Sequence, residues 1–80
     1  VSAVGGLQAI GERMERIDML LELLHEVVAR TGNTTEGYFA FKQAYDHIKM
    51  VGRIPDFGQA LTHLDNTAAT LLSAIERIGR

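Results

Sequence analysis

Apolar residues recur through the first third of the chain at alternating steps of three and four: Leu7, Ile10, Met14, Ile17, Leu21, Leu24 and Val28. This spacing places all seven on one stripe of an α-helix, the stripe by which a helix docks on another. The same spacing returns near the other end through Phe57, Leu61, Leu64, Ala68, Leu71, Ile75 and Ile78. A shorter stripe, Tyr38, Phe41, Tyr45 and Ile48, lies between them. The pattern predicts an all-α fold of three antiparallel helices, up-down-up, or a helical hairpin that completes its core by self-association.

Local signals set the boundaries. Val1 to Gly6 reads as a lead-in or linker, and residues 7–80 as a single helical domain. The first helix is expected over about 7–31. Gly11 weakens its start by roughly 1 kcal/mol relative to Ala. Glu12/Arg16 and Glu26/Arg30 sit at i,i+4 spacing on its outer surface, and Gly32 suits a left-handed stop. Asn33 then offers a cap, with Glu36 three residues on as its reciprocal partner. Asn33-Thr34-Thr35 also fits a glycosylation triplet, but the cap explains it more simply. The second helix is expected over about 34–51, ended by Gly52. Ile54-Pro55 demands an extended residue before a proline that suits a first helical turn, so the third helix is expected over about 55–78. Asp65-Asn66-Thr67, three turn-favouring residues in succession, mark a place where that helix could break. The short connections make neighbouring helices antiparallel.

Eighty residues make one domain of marginal size, and chains this small often rely on a disulfide, a metal or association. There is no cysteine, so disulfides and thiolate ligands are excluded. The formal net charge is −2 and the basic residues are scattered, which disfavours a nucleic-acid partner. No apolar run approaches the ~20 residues that span a bilayer. The N-terminus lacks the charged-then-apolar pattern of a signal peptide. These observations leave the location unassigned, with the cytoplasm slightly favoured. The chain does not begin with Met and its helical pattern runs almost to Arg80, which reads as a domain cut from a longer protein.

Chemistry-bearing constellations are thin. His25, His47 and His63 fall one per helix, with His47 and His63 at similar heights, but each flanks its apolar stripe, and metal binding needs convergent ligands. Glu22-Leu23-Leu24-His25 has the Glu-x-x-His spacing that di-iron bundles use twice. Here it occurs once, and Asp18, Glu22 and Glu26 read more simply as a solvated acidic face. Ser2 and Ser73 have no His–Asp partners suggested by spacing. The glycines are isolated stops with no phosphate-cradling loop among them. No catalytic residue, cofactor or metal is expected.

One excess remains. Beside its main ladder the first helix carries Met19, Leu20, Leu23 and Val27, displaced around its axis, and the second carries Phe39 and Met50 away from its own stripe. Clustered apolar surface marks a partner face. The expectation is a non-catalytic protein–protein interaction or oligomerisation domain with these six residues at the contact. A second copy is the first choice of partner and a different protein the next. The alternative is a small helix-turn-helix regulator that breaks the third helix at Asp65-Asn66 and reads DNA with Asn66, Ala69, Thr70, Ser73, Glu76 and Arg77. Only one of those is basic, so the face is poorly equipped for phosphate contacts.

Overall fold

A computed structural model describes residues 3–79, with side chains from Leu7 to Gly79. It contains three helices, α1 (Ala3–Thr31), α2 (Thr34–Val51) and α3 (Phe57–Gly79), in an all-α bundle 45 Å long and 18 by 14 Å across. The lead-in expected over residues 1–6 is already helical from Ala3. Val1 and Ser2 lie outside the described residues.

Named contacts fix the directions. Arg13 meets Asp65, and a Cβ on Gly79 would touch Val27, so α1 and α3 keep a constant offset, as parallel neighbours must. Along α2, Glu36 meets Arg77 and His47 meets His63, so α2 runs against α3. Gly37 lies on Val28 across the α1–α2 turn. Helix α3 is the central element. It buries Ala60, Leu64, Thr67, Ala68, Leu71, Ala74, Ile75 and Ile78, whereas α1 contributes Ile17, Leu24 and Val27. Ile10, Met14, Leu21 and Val28 of the α1 ladder pack against this core in part. Leu7 does not join it and is 62% exposed. Counting from the Val28–Gly37 contact, α2 ends at the level of Met14, so nothing from α2 reaches Leu7.

The face of α2 differs from its expected stripe. Tyr38 and Tyr45 are 64% and 54% exposed, and the buried positions are Gly37, Ala40 and Ala44. Ala40 and Ala44 share a shallow crevice with Thr67, Leu71 and Ala74 of α3, holding a free volume of only about 10 Å³. Small residues on both sides let two helices approach closely, and a tyrosine there would hold them apart. Phe41 and Ile48 stay at the edge, half-buried.

Helix α3 is continuous through Asp65-Asn66-Thr67. The Thr67 hydroxyl, buried, donates to the His63 carbonyl at 2.8 Å, and Asp65 accepts from Arg13 Nε at 3.0 Å. Two of the three turn-favouring side chains are thus engaged without competing for the helical N–H groups.

The helix ends also differ in detail. Gly32 has φ +75°, and its N–H donates to the Val28 carbonyl, the left-handed stop expected for α1. The capping box of Asn33 and Glu36 is not made. At ψ 62° the Asn33 side chain forms no cap bond, and Glu36 turns to Arg77 at 3.6 Å. Gly52 is right-handed at φ −64°. The chain leaves α2 through turn bonds from Arg53 and Ile54 to Met50 and Val51, before a proline that has no N–H to continue the helix. Pro55 precedes α3 instead of opening it. Asp56 is the cap, its Oδ1 accepting from Gln59 N at 3.1 Å and its carbonyl from Ala60 N at 2.9 Å. The Glu12/Arg16 and Glu26/Arg30 pairs do not form. The ion pairs among the described residues, Arg13–Asp65 and Arg77–Glu36, both join different helices.

Candidate interaction surfaces

Nine large apolar side chains are exposed among the described residues: Leu7, Met19, Leu23, Tyr38, Phe39, Tyr45, Met50, Phe57 and Leu72. Leu7 and Phe57 lie at the end that α2 does not cover. The others fall on two sides of the molecule.

The first side is the groove between α1 and α3, away from α2. It is an open depression of about 660 Å³ lined by Arg13, Arg16, Leu20, Asp65, Ala68, Ala69 and Leu72. The Arg13–Asp65 bridge closes one end of it at 3.0 Å, with both side chains partly in solvent. Leu23 lies one turn beyond Leu20 on the same flank of α1, and Met19 lies further round at 71% exposure. Val27 belongs elsewhere. At 4% exposure it is part of the intramolecular core, beside Gly79, and is removed from the expected contact set. Leu20 is half-buried against the same core. The reason is the parallel offset of α1 and α3, which brings the far end of α3 over this flank of α1. The same offset places Leu72, 46% exposed, level with Leu20. Leu72 is not on the α3 ladder, where the tandem Leu71-Leu72 was the available signal: successive residues diverge by about 100°, and Leu71 holds the ladder position.

The second side is α2. Tyr38, Phe41, Lys42, Tyr45, Asp46 and Lys49 surround a depression of about 540 Å³. Phe39 and Met50 are exposed, as their spacing implied, on the other flank of α2. The Phe39 ring stands edge-on to Tyr38, centroids 6.0 Å apart.

His47 and His63 come together as their heights suggested, with ring centroids 5.3 Å apart and His63 Nε2 hydrogen-bonded to the His47 carbonyl at 3.0 Å. His25 is exposed on α1, apart from them. Among the described residues no three His, Asp or Glu side chains converge. Ser73 is exposed on α3, and Ser2 lies outside the described residues. The turn that a helix-turn-helix needs is absent, because α3 does not break, and Arg77, the one basic residue of its outer face, is drawn to Glu36. No described helix is long and apolar enough to cross a membrane.

Comparison with protein-family models, curated proteins and solved structures finds no match.

Proposed function

We propose that this chain is a non-catalytic association domain whose partner is first of all a second copy of itself. The observation that carries the reading is the exposure of seven large apolar side chains, beyond the two at the uncovered end, on an 80-residue chain with no disulfide. A small domain leaves much of its apolar surface in water, and covering that surface contributes roughly 25 cal/mol per Å² before the costs of association. A two-fold pair is the simplest closed way to cover it. The leucine groove, with Met19, Leu20, Leu23 and Leu72, and the aromatic side of α2, with Phe39 and Met50 beside it, are the surfaces available.

Sedimentation equilibrium over a concentration series tests the reading. A dimer or larger species at micromolar concentration is the expected result, and an 8.8 kDa monomer persisting at hundreds of micromolar would defeat self-association. Two paired variants then test the leucine groove. Leu21→Gln/Leu24→Gln alters residues of the core ladder and should unfold the chain, each truncated core leucine being worth about 2–5 kcal/mol. Leu20→Gln/Leu23→Gln should leave a helical chain, its assembly weakened where the leucine groove is the contact and unchanged where the contact lies on the α2 side. Equal unfolding of both pairs would mean that the second flank serves only the core.

A further inference from the structure

Exposed charge of opposite sign lines the two borders of the α1–α2 seam. Glu15, Asp18 and Glu22 form an acidic stripe on α1. Lys42 and Lys49 alternate with Tyr38 and Tyr45 on α2. Both stripes lie on the side of the seam turned away from α3. On α1, the residues directed to α3 are Arg13, Leu20 and Val27, and Val28 is directed to α2. Continuing around the helix past Val28 at about 100° per residue leads to Leu21, then Asp18 and Glu22. On α2, Ala40, Ala44 and His47 are directed to α3 and Gly37 to α1. Continuing past Gly37 leads to Phe41, then Tyr45, Tyr38, Lys49 and Lys42. The other charged groups near these borders are Glu26, one turn beyond Glu22, His25, beside Asp18, and Asp46, beyond Lys42 on the outer side. Arg16 points to the leucine groove.

Counted along both helices from the Val28–Gly37 contact, the heights of the charges also match. Val28 is level with Gly37 and the helices are antiparallel. Six residues back along α1 and six forward along α2 bring Glu22 level with Gln43, the neighbour of Lys42. Six more bring Arg16 level with Lys49, so Glu15 and Asp18 straddle that lysine. Yet among the described residues no ion pair joins the two stripes within the chain.

We propose that this face takes a second copy of the chain about a two-fold axis that runs along the helices. Such an axis keeps every residue at its own height and exchanges left for right. Each acidic stripe then lies on the tyrosine–lysine stripe of the other copy, with Glu22 against Lys42 and Glu15 and Asp18 against Lys49. A two-fold axis across the helices would instead set acid on acid, which like-charge repulsion opposes. Tyr38 and Tyr45 supply the apolar contact, their rings covered and their hydroxyls free to reach the polar rim. Phe41, at the floor of the seam, lies beneath them.

The proposal rests on self-association, and its test separates the two. Two charge-reversed chains are compared with the wild type by sedimentation at low salt, helicity being measured on each. One is Lys42→Glu/Lys49→Glu and the other is Asp18→Lys/Glu22→Lys. All four positions are exposed, so both chains should stay helical. Each alone should dimerise at least about a hundredfold more weakly, because both contacts of its own dimer become like-charged. Mixed together they should form a heterodimer with affinity near that of the wild type, since both of its contacts again join opposite charges. Raising salt should shrink all these differences. A wild-type dimer indifferent to the reversals would overturn this interface and leave self-association standing. Reversals that weaken the dimer without rescue on mixing would also overturn it. A wild-type chain that stays monomeric would remove both.

Discussion

Helices α1 and α2 dock on the same central helix by opposite means. Helix α1 inserts large branched side chains, with Ile17 and Leu24 fully buried and Val27 nearly so. Helix α2 inserts almost nothing: the positions it buries there are Ala40 and Ala44, with Gly37 turned to α1. The α1 seam draws its stability from the apolar area of each side chain removed from water. The α2 seam draws on close backbone approach and many small dispersion contacts, which vanish with a gap of under an ångström. The first arrangement is vulnerable to truncation, the second to enlargement.

Truncation on the α1 side gives the largest effect. Leu24→Ala should lose about 2–5 kcal/mol of unfolding free energy in a urea titration, enough to unfold a domain of this size outright or nearly so. A loss below 1 kcal/mol would mean that α1 docks no more deeply than α2. Enlargement on the α2 side comes next. Ala44→Leu adds volume to a crevice of about 10 Å³ and should cost about 1–3 kcal/mol, whereas the usual preference of a helix for leucine over most residues predicts almost no change. A Cβ at Gly37 would collide with the Val28 side chain. Gly37→Ala should therefore fail to deliver the ~1 kcal/mol that such a change ordinarily contributes in a helix. Val28→Ala in the same chain should restore part of it, measured as a coupling in a double-mutant cycle.

Helix starts sharpen the comparison at smaller scale. Asp56→Ala removes a formed side-chain cap on α3 and should cost about 1 kcal/mol. Asn33→Ala removes no such bond on α2 and should fall within about 0.5 kcal/mol of the parent. Equal effects would show that Asn33 caps in solution. The smallest effect is expected at Arg13→Gln. The bridge to Asp65 lies partly in solvent, and an exposed pair is worth at most about 1 kcal/mol, fading with salt.

Much of this architecture was legible in the residue pattern, and the exceptions in side-chain burial at the α2 and α3 seams share a cause. The α1 and α3 ladders are built mainly from leucine and isoleucine, whose burial follows from their area, and α1 and α2 end where Gly32 and Gly52 suggested. On α2 the same reasoning chose Tyr38 and Tyr45 because they are larger and more apolar than Ala40 and Ala44. Hydrophobicity ranks residues one at a time, whereas the approach distance of two helices is set by the pair, and Thr67 and Ala74 across the seam are small. Val27 and Leu72 exchanged roles for a related reason. Periodicity assigns a stripe to each helix alone, but the offset between α1 and α3 decides which flanking residue is covered. The outward positions of Met19, Leu23, Phe39 and Met50 needed no such knowledge, because each lies too far around its helix for a neighbour to reach.

The parallel offset of α1 and α3 also bears on how the chain folds. Arg13 and Asp65 are separated by 52 residues, and every partner pair along that seam shares about this separation. The α2–α3 pairing, by contrast, begins between His47 and His63, only 16 residues apart. Of the two seams made with α3, loop closure favours the one with the nearer contacts, so α2 should meet α3 before α1 does and the leucine-rich seam should close late. Weakening that seam at Ile17 or Leu24 should then accelerate unfolding and leave the folding rate nearly unchanged, while changes at Ala44 should slow folding itself. The helix that contributes least to stability would be the one that sets the pace.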